Sequence, residues 1–207
     1  MLSRCLDIGD IMEPKELLSI LERAALLKKE TRHCYTDDDR RESVADHSWR
    51  MALMAMLLSG VKEFQDVDMD RVIRMCLIHD LGETFTGDIP VFKKEKADES
   101  REEKKYLEWV SAFPSPQKEE WLSLLDEMMK LESREARTYK AIDKLEALIA
   151  HDESDISTWL PLEYELQLTY GRDNTAFSPY LSELRKLIDQ WTHKKINDAE
   201  KQDRIGR

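Results

Sequence analysis

Within His79-Asp80-Leu81-Gly82-Glu83-Thr84-Phe85-Thr86-Gly87-Asp88, one imidazole and three carboxylates lie close together in the chain. Imidazole nitrogen and carboxylate oxygen suit a divalent first-row cation, and a carboxylate beside such a cation can carry a proton. On a continuous α-helix His79 and Glu83 share a face at i and i+4, while Asp80 sits about 100° round the axis. A cation held by His79 and Asp80 then lies within reach of Glu83. An adjacent His and Asp is by itself a common accident, and the chain also contains Asp46-His47 and His151-Asp152.

Two further residues give the segment company. His47 runs into Met51, Met54, Ala55 and Leu58 at spacings of three and four, and Asp143 interrupts a stripe of Ala136, Tyr139, Ala147 and Ala150. His79 follows Val72, Met75 and Cys76 on the apolar face of its own helix. Each residue alone reads as a hydrogen-bonded polar group of the core. Together, three helices each aim a polar group inward. Burying an unpaired carboxylate costs several kcal/mol or neutralises it, and a shared cation removes that penalty for all of them. His47, His79, Asp80 and Asp143 thus define a mixed nitrogen and oxygen site for one divalent cation (Mn, Co, Mg, Ni or Zn), with positions left open for water or substrate.

The order His, then His-Asp, then a distant Asp resembles the HD superfamily of metal-dependent phosphohydrolases. Glu42-Ser43-Val44-Ala45-Asp46-His47-Ser48, with His79-Asp80-x-x-Glu83 and Gly87-Asp88-Ile89-Pro90, is similar to the bacterial 5′-deoxynucleotidases and their HD-domain relatives, from about Leu17 to about Leu187. The resemblance implies His47, His79, Asp80 and Asp143 as metal ligands, Glu83 as catalytic acid or base, and Asp88 as the group orienting water or substrate. It also implies Arg32, fifteen residues before His47, as the phosphate ligand. His33 stands where that enzyme carries a Trp against the sugar, which implies weaker exclusion of a 2′-hydroxyl.

The elements that must position these groups read as an all-α, single-domain helical bundle of the HD-domain type. A chain of 207 residues with 41% hydrophobic content fits one core. Scarce Gly and Pro, 36% charged residues and recurrent helical periodicity point to helices, with no competing strand alternation. The expected domain spans 1–193, with the metal-site core about 30–152 and a frayed polar tail over 194–207. A first helix starts near Pro14, and Thr31 to Ser43 then breaks the helical period, with Asp37-Asp38-Asp39-Arg40-Arg41 as a polar loop. The His47 helix ends near Ser59-Gly60, and the His79 helix runs from Asp68 or Asp70 to about Gly82. Helices follow over Asp98–Phe113 and Gln117–Leu131. The Asp143 helix extends to about Ala150, and a last one covers Ser178–Trp191.

His151 and Asp152 read as end-of-helix groups rather than ligands, because a charged His suits a helix C-terminus. Lys93 and Lys94 read as solvated surface. Trp159, Tyr164 and Tyr170 with their leucine neighbours read as core or a homodimer contact.

A net charge of −11 and a pI near 5.0 argue against polymeric nucleic acid as partner. A small anionic nucleotide remains compatible, since a metal and one Arg can reverse the potential within a cleft. Cys5, Cys34 and Cys76 share no ligand spacing and read as free thiols of a reducing cytoplasm. The longest apolar run, Met51 to Leu58, is too short to span a membrane, and no signal-peptide pattern opens the chain. The expected function is removal of phosphate from (deoxy)nucleoside 5′-monophosphates, with Glu83 moving the proton and Asp88 orienting. The alternatives are an HD-type hydrolase of nucleoside polyphosphates, which should show more basic residues; a binuclear phosphodiesterase, for which His33, His151 and His193 have no obvious place; and a non-catalytic metal or nucleotide-binding protein.

Overall fold

Ser43 starts the helix that carries the first histidine. Its hydroxyl accepts from the Asp46 N–H at 3.1 Å, and the Asp46 carboxylate accepts from the Ser43 N–H at 2.9 Å. This reciprocal capping box satisfies two otherwise orphaned donors and gives Asp46 a structural task, leaving His47 one residue further on to face the core. Asp68 and Ser133 cap the next two site helices through their side chains, accepting from the N–H of Arg71 and Ala136 at 3.0 Å each.

The computed structural model describes residues 12–37, 39–90, 93 and 95–205, with side chains as far as Gln202. In chain order its helices are α1 (Pro14–Ala24), α2 (Val44–Leu58), α3 (Met69–Ile78), α4 (Lys96–Ser111), α5 (Gln117–Lys130), α6 (Arg134–Glu153), α7 (Glu163–Thr169), α8 (Arg172–Thr175) and α9 (Pro179–Ile205). Helices α2, α3 and α6 pack on one another at the centre, with α5 against α3 and α6, and α9 across α6. Val44, Met51, Ala55, Val72, Met75, Cys76, Ile142 and Leu145 are wholly or almost wholly buried where these helices meet. The apolar stripes therefore face where their periodicity placed them. Cys34 and Cys76 are buried free thiols. Cys5 and Lys94 lie outside the described residues, and Lys93 is exposed. Among the described residues no helix is long and apolar enough to cross a membrane.

The helical architecture agrees with the expectation, but four local readings are corrected. Thr31 to Ser43 is an antiparallel hairpin, β1 (Thr31–Asp37) and β2 (Arg40–Ser43), with Thr31 opposite Ser43 and Tyr35 opposite Arg41. Register shifts between these pairs break the period of two, which hides the strands from pattern reading. The hairpin is fastened to α6, where the Ser154 hydroxyl accepts from the Tyr35 N–H at 2.8 Å.

The second correction concerns α3, which stops at Ile78, and the turn Leu81–Phe85 is a 3-10 helix. His79 and Glu83 therefore do not share an α-helical face. Tyr106 of α4 donates to the Ile78 carbonyl at 2.7 Å, satisfying one of the acceptors left at the helix end. A Cβ at Gly82 would come within 3.0 Å of Glu102 and 3.3 Å of Tyr106, so glycine lets α4 close on this turn.

The remaining corrections concern α6 and the C-terminal segment. Helix α6 continues to Glu153 and buries both His151 and Asp152 instead of leaving them at a solvated end. Helix α9 continues through the expected frayed segment to Ile205.

Candidate metal centre and substrate cavity

Helices α2, α3 and α6 deliver His47, His79-Asp80 and Asp143 to one point. His47 Nε2 lies 3.5 Å from Asp143 Oδ1 and 3.9 Å from Asp80 Oδ2, and His79 Nε2 lies 2.8 Å from Asp80 Oδ2. The two imidazole rings meet edge to face, 5.2 Å between centroids. Ligand atoms of His47, His79 and Asp80 all fall within 4.8 Å of one another.

The tautomers are set from behind. His79 Nδ1 is 2.9 Å from the Cys76 carbonyl, an acceptor only, so Nδ1 carries the proton and Nε2 keeps its lone pair. That Nε2 is buried and makes no hydrogen bond with any described residue, despite its closeness to Asp80. An orphaned imidazole lone pair among carboxylates is what a bound cation would satisfy, so these residues fit the divalent metal that the motifs imply. Behind His47, Nδ1 contacts the buried Glu146 carboxylate, the carboxylate–histidine arrangement that orients metal-binding imidazoles.

Sequence reading missed Glu146, although Asp143-x-x-Glu146 puts both on one face of α6. Glu146 also takes Arg50 Nε at 2.6 Å and Arg32 Nη1 at 3.0 Å, while Arg32 Nη1 reaches Glu42 at 2.9 Å. Burial opposes charge on Glu146, but His47, Arg32 and Arg50 outweigh it and hold its carboxyl down to about 2. Burial and the Glu146 charge push Glu42 up to about 7 against the pull of Arg32. Burial and Arg32 disfavour a proton on His47, yet Glu146 and Asp143 raise it to about 9 in the absence of a cation.

Asp143 is shared. Its Oδ2 lies 2.9 Å from Lys140 Nζ and 3.1 Å from Lys144 Nζ, leaving Oδ1 toward His47. Burial alone would raise the Asp143 carboxyl, but the two lysines hold it well below the carboxylate range. Asp80 is likewise lowered, against burial, by His79 and His47 when these imidazoles carry a second proton in place of a cation. Both aspartates therefore stay ionised, the form that binds a cation.

A cavity of about 310 Å³ opens on this cluster and is lined by Arg32, His33, His47, Asp80, Glu83, Asp88 and Asp143 among others. Glu83 reaches it from the 3-10 turn and is almost fully buried. Asp88 follows Gly87, whose φ of +80° belongs to the left-handed region that glycine enters without strain. All eight site residues inferred from sequence thus line or adjoin one space. The structure adds Lys140, Lys144 and Tyr170 to the cavity wall, two basic groups that sequence reading did not place there. It adds His151 and Glu163 too, so His151, read from sequence as an end-of-helix group, does have a place in the site. Lys144 and Tyr170 are joined by a hydrogen bond of 2.6 Å, and Trp159 is buried against His151.

The chain is thus a helical bundle that brings two histidines and two aspartates together in one cluster. An HD domain model matches residues 24–185, and the chain belongs to that family. It is 34% identical over 139 residues to the 5′-deoxynucleotidase HDDC2 of Xenopus laevis, covering 65% of this chain and 67% of that protein. It is 31% identical to the human 5′-deoxynucleotidase HDDC2, over 67% of this chain and 68% of the relative. With the 5′-deoxynucleotidase YGK1 of Saccharomyces cerevisiae it shares 29% identity over 90% of this chain and 85% of the relative. A crystal structure of a predicted metal-dependent phosphohydrolase from Magnetospirillum magnetotacticum superimposes with a TM-score of 0.74 at 28% identity, covering 89% of this chain and 97% of the other. The family and the helical fold agree with what the motifs imply.

Proposed function

We propose that this chain is a metal-dependent phosphomonoesterase that removes phosphate from nucleoside or deoxynucleoside 5′-monophosphates. The observation that carries the proposal is the convergence of His47, His79, Asp80 and Asp143 on the same cavity as Glu83, Asp88 and Arg32. A metal with a purely structural task needs no acidic and basic groups beside it. In this reading His47, His79, Asp80 and Asp143 hold one divalent cation, which supplies Lewis-acid activation of water and of a phosphoryl oxygen. Two imidazoles with two carboxylates suit Mn, Co, Ni or Zn, and Mg also fits through the oxygens.

The chain's own groups then divide the remaining work. Glu83 is almost fully buried beside Asp80 and takes or returns the proton, and Asp88, on its glycine-set turn, orients the attacking water. Arg32 faces the cavity with a charge already shared by Glu42 and Glu146, which pre-orients its guanidinium for the phosphate. Lys140 and Lys144, which flank Asp143 on the cavity wall, add two positive groups to those that the cation and Arg32 offer the phosphate. The volume matches one nucleoside monophosphate, near the lower end of small-molecule sites. His33 stands at the sugar end of this reading.

We read the active form as a cytoplasmic homodimer. Exposed Trp49, Met56 and Leu57 on α2 support a self-association surface, which light scattering would test. For the activity, the decisive experiment is phosphate release from deoxyribo- and ribonucleoside mono-, di- and triphosphates with Mn, Co, Mg, Ni and Zn in turn. Absence of release from every monophosphate with every metal would overturn the proposal.

A further inference from the structure

Away from the His47 cluster, the same cavity has a second concentration of metal-ligating groups. His33 comes from β1, His151 from the last turn of α6, and Glu163 from the first position of α7. Glu163 Oε1 lies 2.9 Å from His33 Nδ1, and Glu163 Oε2 lies 3.4 Å from His151 Nε2. One ligand atom from each of the three residues lies within 4.8 Å of the others. None of them belongs to the first cluster.

We propose that His33, His151 and Glu163 form a second divalent cation site, of the zinc class, whose fourth position faces the cavity. Donors at about 2.0–2.1 Å around a tetrahedral zinc stand roughly 3.3 Å apart; the two contacts, made through different oxygens of Glu163, are of that order, and one ligand atom from each residue lies within 4.8 Å of the others. As a hydrogen bond, the 3.4 Å contact is long for nitrogen to oxygen, whose usual separation is about 2.9–3.0 Å.

The set is held in place by its surroundings. Glu163 Oε2 accepts from the Leu160 N–H at 2.6 Å, which fixes the carboxylate. The Trp159 ring lies 4.2 Å from that of His151, and its Nε1 donates to the His151 carbonyl at 3.2 Å. Glu163 and His151 are buried while His33 is half-buried toward the cavity, so protein closes one side and the other stays accessible. Three protein ligands with an open position is the coordination that lets a zinc ion take water or an anionic group as its fourth partner. Two imidazoles with a single carboxylate disfavour Mg and Ca, which prefer shells of oxygen.

The test counts zinc and needs no activity, so its outcome is separate from that of the phosphatase reading. The 207-residue chain is stripped with chelator, titrated with Zn²⁺ by calorimetry, and its bound metal counted after dialysis. Wild type should bind about two equivalents, and His79→Ala, Glu163→Gln and His33→Gln about one each. His33→Gln alters a half-buried strand residue and covers the case in which Glu163→Gln fails to fold. Cobalt bound to His79→Ala should give the visible absorption of a four-coordinate site, and adding His33→Gln should abolish it. Wild type binding a single equivalent that His79→Ala removes, or two equivalents surviving both His33→Gln and Glu163→Gln, would overturn the proposal. Glu163 would then be a simple bridge between two histidines.

Discussion

The Glu146 carboxylate contacts His47 Nδ1, so that His47 Nε2 is presented to Asp143 at 3.5 Å and to Asp80 at 3.9 Å. A residue outside the cavity lining thereby fixes the orientation of a candidate metal ligand. Glu146→Gln keeps the shape but removes the charge that balances Arg32 and Arg50. It should weaken divalent metal affinity by about 10- to 100-fold, the usual cost of losing such an orienting partner. Metal titration beside a circular dichroism melt checks this. Unchanged affinity in a folded variant would remove Glu146 from the site.

His79→Ala and Glu83→Ala should separate metal binding from proton transfer. The first removes an imidazole that faces Asp80 and His47 across the cluster, so metal there and phosphate release should be lost together. The second should retain that metal and the fold while turnover drops by about 10² or more. Asp88→Asn is the control: if it alone abolishes turnover with metal bound, the roles of the two carboxylates are exchanged.

Substrate choice should follow the charge on the cavity wall. Arg32, Lys140 and Lys144 can balance a monophosphate dianion, whereas a triphosphate carries further charge toward an acidic surface. Monophosphates should give the highest kcat/KM. With His33 half-buried and held at 2.9 Å by Glu163, a 2′-hydroxyl meets a polar wall, so dAMP and AMP should differ less in wild type than in His33→Trp. A strong deoxy preference in wild type would refute the role given to His33.

Asp152 offers a stability test away from the site. Burial pushes its carboxyl up to about 6, although Thr192 donates to it at 2.8 Å. Because the folded value lies above the unfolded one, folding favours the protonated form. That contribution is complete below the unfolded value and is lost as pH rises through about 6. Asp152→Asn keeps an acceptor for Thr192 and removes the buried charge. At pH 7.5 it should raise stability by on the order of 1 kcal/mol, about 2–4 °C in Tm, and by clearly less at pH 4.5, part-way down the window. Equal shifts at both pH values would rule out the ionisation argument.

The sequence by itself determined the helical class, the inward faces of α2, α3 and α6, and the four residues that meet between them. Those inferences rest on periodicity and on the cost of burying lone polar groups, both local properties of a chain. His47, Met51, Ala55 and Leu58 share a face of α2 whatever lies opposite. Only the tertiary structure decided the rest. The end of α3 at Ile78 depends on Tyr106 of another helix, and the 31–43 hairpin is fastened to Ser154. The partnership of Glu146 with His47 spans 99 residues, and the gathering of His33, His151 and Glu163 joins three separate elements. A polar residue in the sequence announces that it needs a partner, but the identity of that partner is set by how helices cross, and spacing along the chain does not encode it.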